Sequence, residues 1–278
     1  MKLDLPAPAK INRHLHILGR RADGYHLLES LFVLLGFGDR VTLAKRSDGA
    51  IELLHPLHGV PKERDLCWRA AKLLQERTGC RQGADLGLLK NLPQGGGLGG
   101  GSSDAATVLL GLNRLWGTGL KRADLADLGL RLGADVPFFV GGENALVSGI
   151  GEVLRPMTVP RAWYLVLEPG VPVPTPEIFA DPDLTRNTPS SKIAVFSEAY
   201  GKNDLQAVAL RRYPQIAGNL AWLSKFGDAR MSGSGGCVFA VFARETAARE
   251  AWAVKPPGLR GFLAAGLARH PLARWVDD

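Results

Sequence analysis

Six of the seven residues from Gly95 to Gly101 are glycine, and Ser102 and Ser103 follow them directly. Glycine loses more backbone entropy on ordering than any other residue, so a loop this rich in glycine is costly to fold. Without Cβ atoms, however, several backbone N–H groups can turn onto one anion, and the dipole of a following helix adds partial positive charge. The stretch therefore predicts a phosphate site, with the triphosphate of a nucleotide as the expected ligand.

Other interpretations of this stretch fit less well. Gly95, Gly97 and Gly100 match the G-x-G-x-x-G pattern of dinucleotide-binding proteins, but the acidic residue expected about 20 positions later would fall in a region that reads as helix. A Walker A loop ends in G-K-[ST], whereas this one ends in Gly-Ser-Ser. The H-R-D and D-F-G motifs of protein kinases are missing from the sequence. A flexible linker is the remaining alternative, although linkers rarely join a strand to a capped helix.

The glycine stretch is expected to lie between a strand and a helix. Apolar spacing predicts the strand over residues 84–92 and the helix over residues 102–116. Ser102 and Ser103 are of the type that caps a helix N-terminus, and their hydroxyls could also reach a phosphate or a magnesium ion. The loop would then lead its N–H groups directly into the start of the helix.

The chain before this unit reads mostly as strands, and the chain after it alternates between helices and strands. A helix is predicted over residues 65–79, with Asp65 as its N-cap and Gly79 as its stop. Six prolines between Pro169 and Pro189 predict an extended segment that crosses between two lobes. The other predicted strands are 11–18, 26–35, 40–45, 50–56, 144–149 and 163–170, with a helix over 122–133 and a loop or short helical turn over 133–142.

Composition favours a soluble enzyme without a membrane segment. The 278 residues suffice for one large domain or two ordinary ones, and 46% of them are hydrophobic and 22% charged. No apolar run approaches the roughly 18 residues of a membrane span. The N-terminal "MKLDLPAPAKIN" carries prolines and charges where a signal peptide needs an apolar region. A cytoplasmic protein with no membrane partner is therefore expected.

Cysteines and net charge exclude two further classes. Cys67, Cys80 and Cys237 form no C-x-x-C pair, so a disulfide framework or zinc site is not expected and small buried apolar roles are. The net charge of +7 is scattered along the chain, without the basic and aromatic patterning of an RNA-binding protein. A positive surplus of this kind is compatible with phosphorylated substrates.

Several stretches resemble the GHMP kinases, named for galactose, homoserine, mevalonate and phosphomevalonate kinases. The similar stretches are "PAPAKINRHLHILGRRADGYHLLESLF" (6–32), "GGGLGGGSSDAA" (95–106), "GADVPFF" (133–139), "PTPEIF" (174–179) and "MSGSGGCVFAVF" (231–242). Together they resemble most closely the branch that phosphorylates the 2-hydroxyl of a methylerythritol carrying a cytidine diphosphate, on the non-mevalonate route to isoprenoid precursors.

The resemblance implies a two-lobed α/β (α+β) GHMP kinase fold. Residues 1–158 would form an ATP-binding lobe similar to domain 2 of ribosomal protein S5, and residues 159–278 a ferredoxin-like lobe, with both substrates in the cleft between them. ATP with Mg²⁺ would be the phosphoryl donor. The residues expected to bind ATP are Pro93, Gln94, Gly95, Gly96, Gly97, Leu98, Gly99, Gly100, Gly101, Ser102 and Ser103.

The resemblance also implies a catalytic pair, Lys10 and Asp135. On its own, Asp135 reads as a helix cap or turn residue and Lys10 as a solvated surface lysine. In the family pattern, Asp135 would orient the attacking hydroxyl and accept its proton, because phosphoryl transfer through a loose transition state needs orientation more than a strong base. Lys10 would keep the carboxylate ionised and offset the charge that develops on the transferred group.

Residues expected to bind the acceptor substrate are taken from the same resemblance. Asn12 lies two positions after Lys10 and therefore on the same face of a strand. Tyr25 and Phe179 would stack on the two faces of the cytosine ring, and His26 would hydrogen-bond its edge. The remaining expected contacts are Thr175, Gly233 and Ser234.

One residue of the phosphate motif departs from the broader family pattern. Asp104 stands where many members have a small residue, and a carboxylate in the first helical turn would repel a nearby phosphate. It is expected to point away from the nucleotide unless a magnesium ion bridges the two. Ser103 and Asp104 are candidate metal ligands, and neither is assigned.

Two other functions remain open at the level of sequence. One is another GHMP kinase, of the homoserine or mevalonate type, whose substrate carries no base for Tyr25 and Phe179 to stack on. The other is a non-catalytic nucleotide- or RNA-binding protein, which would need neither Lys10 nor Asp135. The expected partner is a small-molecule substrate with a cytidine diphosphate group, with no nucleic acid partner, and the chain is expected to be a monomer or homodimer.

Overall fold

Two long antiparallel strands organise the first part of the chain, β1 (Lys2–Arg20) and β2 (His26–Arg46). They belong to a computed structural model that describes residues 1–191 and 201–277. The pairing of β1 with β2 shifts register between Pro8 and Lys10 and again between Asn12 and Leu15. Such irregularities re-aim side chains along a strand, and here they flank the positions from which Lys10 and Asn12 project.

The described strands join into one mixed sheet. The further strands are β3 (Ile51–Leu53), β4 (Gly83–Leu89), β5 (Ala145–Ser148), β6 (Val153–Pro156), β7 (Trp163–Leu167), β8 (Ala229–Met231), β9 (Val238–Phe242) and β10 (Gly261–Leu267). The main path of the sheet runs β3-β4-β2-β10-β7-β9-β8, with β1 paired to β2, β5 paired to β2, and β6 paired to β5. Strand β10 connects the two parts of the chain, because it pairs with β2 on one side and β7 on the other.

Helices pack against this sheet around three apolar clusters. The largest cluster joins the sheet to the helices of the first 150 residues, and a second lies under the helices of the later part of the chain. The helices are α1 (Leu66–Thr78), α2 (Gly100–Trp116), α3 (Arg122–Leu130), α4 (Val136–Gly141), α5 (Thr175–Ala180), α6 (Gln206–Arg212), α7 (Pro214–Leu223) and α8 (Glu245–Ala253). None of the helices in the described ranges is long and apolar enough to cross a membrane.

Helix α1 confirms its predicted limits almost to the residue. The Asp65 carboxylate accepts hydrogen bonds from the backbone N–H groups of Cys67 and Trp68, as an N-cap should. Gly79 ends the helix in the left-handed conformation, with φ of 64°. Local signals at both ends therefore suffice to define this element.

Several other predicted elements are corrected by the structure. The strands predicted at 26–35 and 40–45 form the single strand β2, which runs through Gly36 and Gly38 without a turn. The helix predicted over 102–116 begins two residues earlier, at Gly100. The segment predicted as fully extended between Pro169 and Pro189 contains helix α5, whose Pro176 lies at a position where the missing N–H costs nothing.

The three cysteines carry free thiols. Cys67 and Cys237 are buried, as predicted, whereas Cys80 is only partly buried. The proposed lobe limits, 1–158 and 159–278, stay a prediction.

Candidate active site

The glycine loop links the end of β4 to the start of α2. Gly95, Gly97 and Gly99 have positive φ values of 68°, 74° and 69°, a conformation that residues with a Cβ rarely adopt. Gly99 is the N-cap of α2, and no side chain caps the helix. The prediction that Ser102 and Ser103 cap it is therefore wrong, because the αL backbone of Gly99 begins the helix before either serine.

Glycine is needed at some positions of the loop because other segments of the chain pack directly against its backbone. A Cβ on Gly97 would overlap the carbonyl oxygen of Ser232, in the later glycine motif. A Cβ on Gly99 would come within 3.0 Å of Lys10 Cγ and of the Phe139 ring. The close approach of other chain segments, and not only of a ligand, thus excludes side chains at these positions.

A cavity of about 390 Å³ lies beside the loop and takes much of its wall from the loop glycines. Its volume falls in the range of small-molecule sites, which are mostly apolar with a few polar groups. Pro93, Gln94, Ser102 and Asp104 also line it. Its apolar wall comes from Leu57, Val60, Leu66 and Leu88, which the sequence did not single out.

A buried charge cluster holds the loop at both ends. Lys90 Nζ forms ion pairs with Asp39 and with Asp104, the latter over 2.9 Å. Asp39 Oδ1 also accepts hydrogen bonds of 2.6 and 2.8 Å from the backbone N–H groups of Asn91 and Leu92. The cluster therefore ties the strand end before the loop to the helix after it.

The ionisation of this cluster reflects its burial. Burial raises the pKa of Asp104 to about 7, and nearby Asp39 adds to the rise while Lys90 opposes it. Burial alone would lower the pKa of Lys90, but the two carboxylates outweigh it and the pKa is raised. The Asp104 carboxylate turns to Lys90 and lines the cavity beside the loop, and the expectation that it points away from the nucleotide stays a prediction.

Lys10 and Asp135 lie together, as the resemblance implied. Lys10 Nζ is 3.3 Å from Asp135 Oδ2, and the Lys10 side chain is buried while that of Asp135 is 29% exposed. Lys10 Nζ also donates a 2.7 Å hydrogen bond to Asn12 Oδ1 and lies 4.2 Å from the centroid of the Phe32 ring. Asp135 stands at the N-cap position of α4 but makes no capping hydrogen bond, so its carboxylate faces the lysine and solvent.

Three hydrogen bonds place this pair against the glycine motifs. The Lys10 N–H donates to the carbonyl oxygen of Leu98 over 2.9 Å. The Asn12 N–H donates over 3.2 Å to Ser232 Oγ, which in turn donates over 3.0 Å to the carbonyl oxygen of Gly97. Strand β1, the glycine loop and the later glycine motif thus meet at Lys10.

The later glycine motif forms a tight turn that closes on the same point. A Cβ on Gly233 would lie 3.2 Å from Gly97 Cα and 3.3 Å from Asn12 Oδ1. Asn203 Nδ2 holds the turn from outside by donating hydrogen bonds of 2.8 Å to the carbonyl oxygens of Met231 and Gly233. Asn203 belongs to no recognisable sequence motif, so the sequence alone could not identify it as a residue that supports this turn.

A second cavity, of about 440 Å³, contains the predicted base-binding residues. Tyr25, His26, Thr175 and Phe179 all line it. The His26 and Phe179 rings lie 5.1 Å apart at an angle of 38°, and Tyr25 is 60% exposed. Thr175 Oγ1 and Ser234 Oγ are 2.5 Å apart, which connects this cavity to the glycine turn.

Arg186 is a further residue at this cavity that sequence analysis missed. Its Nε donates a 3.1 Å hydrogen bond to His26 Nε2. It lies in the proline-rich segment 169–189, where no local pattern distinguishes it from a solvated arginine. Lys90, by contrast, had a possible signal, because a cation at the end of the strand that leads into a phosphate loop is a natural candidate.

Comparisons with known proteins identify the family to which the chain is related. Residues 65–143 match the GHMP kinases N terminal domain and residues 189–254 the GHMP kinases C terminal domain. The 4-diphosphocytidyl-2-C-methyl-D-erythritol kinase of Ralstonia nicotianae is 55% identical over 98% of this chain and 96% of its own length. The protein of the same name from Thiobacillus denitrificans is 54% identical over the whole of both chains.

Solved structures of related kinases are similar to this chain as well. A crystal structure of 4-(cytidine 5'-diphospho)-2C-methyl-D-erythritol kinase is 34% identical, with a TM-score of 0.84 over 95% of this chain and 99% of that one. The homoserine kinase of Cytophaga hutchinsonii, 15% identical with a TM-score of 0.68 over 97% and 95% of the two chains, shares the fold. The chain belongs to the GHMP kinase family of phosphotransferases and, within it, to the 4-diphosphocytidyl-2-C-methyl-D-erythritol kinases.

Proposed function

We propose that this kinase transfers the γ-phosphoryl group of ATP to the 2-hydroxyl of 4-diphosphocytidyl-2-C-methyl-D-erythritol. One observation carries the proposal. The Lys10–Asp135 pair, 3.3 Å apart, is joined through Leu98 to the glycine loop and through Asn12 and Ser232 to the glycine turn that leads to the aromatic cavity. A donor held at the loop and an acceptor held in the aromatic cavity would meet at this pair.

ATP is proposed to bind along the glycine loop. Its phosphates would accept hydrogen bonds from the backbone N–H groups of residues 95–101 and benefit from the N-terminal dipole of α2. Its adenine would enter the 390 Å³ cavity, whose apolar wall includes Leu57, Val60 and Leu66. The loop would in this way bring the γ-phosphate to the side of Lys10.

The two catalytic residues would act mainly by orientation and charge. Asp135 would accept a hydrogen bond from the 2-hydroxyl and take its proton as the oxygen bonds to phosphorus. Lys10, held by Asn12 and by the Phe32 ring, would offset negative charge on the transferred group without needing to reorganise. The bond from the γ-phosphorus to its bridging oxygen breaks, and ADP leaves.

The acceptor is proposed to lie across the aromatic cavity and the glycine turn. Tyr25 and Phe179 would stack on the cytosine, and His26 would hydrogen-bond its edge. Thr175, Gly233 and Ser234 would contact the diphosphate. Asn12, next to Lys10, would bind a hydroxyl of the methylerythritol part.

Magnesium is proposed to enter with ATP, coordinated chiefly by phosphate oxygens. The described residues contain no group of three or more histidine, cysteine or acidic side chains able to hold a metal. Asp104 fits the role of a single protein ligand, because it lines the loop cavity and its Oδ1 has no hydrogen-bond partner among the described residues. Ser103 fits less well, because it does not line the cavity. When bound, the ion would neutralise charge on the phosphates.

A turnover assay tests the proposal. Purified protein is incubated with MgATP and 4-diphosphocytidyl-2-C-methyl-D-erythritol, homoserine or mevalonate, and ADP and the phosphorylated product are measured. We expect ADP and a 2-phosphorylated product in equal amounts with the cytidine substrate only. Turnover of homoserine or mevalonate instead would assign a different GHMP kinase, and ATP binding without transfer to any acceptor would favour a non-catalytic protein. The cytoplasmic location and the monomeric or dimeric state stay predictions.

A further inference from the structure

Arg186 is fixed against the aromatic cavity by several backbone carbonyl groups. Its Nη2 donates to the carbonyl oxygens of Phe179 and Asp181 over 3.0 and 2.7 Å, and its Nη1 to those of Leu184 and Pro182 over 3.1 and 3.5 Å. The remaining guanidinium N–H, at Nε, points to His26 Nε2 over 3.1 Å. The side chain is therefore held in one orientation, with a single N–H directed at the histidine.

This contact determines which nitrogen of His26 can carry a proton. A guanidinium in a protein is always charged and can only donate hydrogen bonds. Nε2 of His26 must therefore accept, and the proton of the neutral imidazole must lie on Nδ1. Burial lowers the pKa of His26, and the positive charges of Arg186 and Arg20 lower it further, so the neutral form is favoured.

We infer that Arg186 is a positioning residue that holds His26 as the Nδ1–H tautomer, so that the side chain can only donate to the base in the cavity. No described residue hydrogen-bonds Nδ1. Cytosine offers two acceptors on its edge, O2 and N3, and one donor, the amino group at N4. A fixed Nδ1–H group can pair with O2 or N3 and cannot pair with the amino group. The inference rests on the proposed function for the identity of the base.

A purely structural role for Arg186 is the competing explanation. The segment it crosses is anchored independently, because Arg211 Nη2 and Arg212 Nε donate to the Asp181 carboxylate over 2.6 and 2.7 Å. Loss of Arg186 therefore leaves Asp181 attached to α6, and a folded variant is expected. The test has to separate the effect on His26 from any loosening of residues 179–184.

The first test reads the tautomer directly in the protein without substrate. Long-range ¹H–¹⁵N correlation spectra of protein labelled with ¹⁵N-histidine distinguish Nδ1–H from Nε2–H, and His26→Asn identifies the His26 signals. We expect the Nδ1–H pattern in the natural protein and a mixture of tautomers in Arg186→Met. An Nε2–H pattern in the natural protein, or an unchanged pattern in Arg186→Met, would overturn the inference.

The second test uses two replacements of His26 with different reach. An asparagine amide lies near the position of Nδ1, and a glutamine amide near that of Nε2. The KM for the cytidine substrate should rise about tenfold more in His26→Gln than in His26→Asn, a ratio that corresponds to about 1.4 kcal/mol and lies within the range for one hydrogen bond. The KM for ATP should stay the same in both. Equal losses in the two variants would contradict a donor at Nδ1.

The two tests separate this inference from the proposed function. Because the spectra need no substrate, an Nδ1–H pattern in a protein that does not phosphorylate the cytidine substrate would refute the proposed function and leave the role of Arg186 intact. Turnover of that substrate by a protein with an Nε2–H pattern would support the proposed function and refute the role of Arg186.

Discussion

Lys10 and Asp135 are the residues on which the chemistry depends. Asp135 makes no capping hydrogen bond at the start of α4, so the fold does not depend on its carboxylate. Replacing Asp135 with asparagine keeps the shape and removes the proton acceptor. We expect kcat to fall by on the order of 10²-fold or more in Asp135→Asn, with a similar loss in Lys10→Met.

The melting temperature and the dissociation constant for ATP serve as controls for these variants. In Asp135→Asn both should stay close to those of the natural protein, because Asp135 lies outside the glycine loop and makes no capping hydrogen bond. Near-normal turnover in a well-folded Asp135→Asn protein would remove Asp135 as the base.

Asp104 gives a prediction for stability against pH. The pKa of Asp104 is about 7 in the folded protein and 3.8 is the usual value, so between these pH values the folded state binds the extra proton. Stability contributed by this group is therefore lost as the pH rises through that window. Asp104→Asn should be more stable than the natural protein at pH 8, and the difference should shrink toward pH 4.

Thermal unfolding without nucleotide measures this difference. Asp4→Asn is the matched control, because Asp4 forms an exposed pair with Arg40, and such pairs contribute about 0–1 kcal/mol. A lower melting temperature for Asp104→Asn at pH 8 would show that the ionised carboxylate stabilises the cluster.

At the scale of single elements, capping residues and glycines predicted the ends of some helices and strands correctly and those of others wrongly. Asp65 and Gly79 define α1 because a cap and a left-handed stop act within a few residues. The two strands predicted at 26–35 and 40–45 are one strand, because β2 continues through Gly36 and Gly38. Strand β1 lies close against this stretch, since a Cβ on Gly38 would overlap the backbone of Ala7. The start of α2 was missed because it depends on the left-handed backbone of Gly99 rather than on a serine side chain.

The glycine loop and the later glycine turn form one packed unit, and Gly97 is the point of contact. Gly97→Ala would place a Cβ against the Ser232 carbonyl oxygen at a residue with φ of 74°. We expect a lower melting temperature and a KM for ATP raised about tenfold or more, since the loop has to move to relieve the overlap.

Gly218→Ala is the control for this substitution. Gly218 lies within α7, and a Cβ there meets nothing within 4 Å. Alanine should stabilise the helix by about 0.5–1 kcal/mol and leave the KM for ATP unchanged. An equal, small effect of both substitutions would mean that the loop and the turn are not coupled.

At the scale of the whole molecule, the site is assembled from distant parts of the chain. Asn12 and Ser232 are hydrogen-bonded across 220 positions, and Arg186 and His26 across 160. Periodicity and caps report on neighbours along the chain and carry no information on such pairs. Composition and spacing therefore reached only a phosphate-binding α/β protein, and the resemblance supplied the pairing of Lys10 with Asp135, which the structure brings together.

Buried histidines predict how the molecule responds to acid. Burial lowers the pKa of His14 and of His270 to about 4, from the usual 6.5, with smaller contributions from nearby positive charges. Between pH 6.5 and 4 the unfolded state binds more protons, so stability is lost as the pH falls through this range. Each group contributes a slope of up to about 1.4 kcal/mol per pH unit.

His270→Asn tests this response. His270 Nδ1 accepts a 3.0 Å hydrogen bond from the Leu272 N–H, and an asparagine oxygen can replace it without titrating. Denaturant unfolding between pH 4.5 and 7.5 should show a slope reduced by up to one proton. An unchanged slope in His270→Asn would show that this histidine does not titrate between the two states.

The most direct measurement is a crystal structure with a non-hydrolysable ATP analogue and 4-diphosphocytidyl-2-C-methyl-D-erythritol bound together. We predict phosphates on the backbone N–H groups of residues 95–101, the cytosine beside Tyr25 and His26, and the 2-hydroxyl within hydrogen-bond distance of Asp135. A nucleotide bound away from the glycine loop, or a 2-hydroxyl remote from Asp135, would contradict the account.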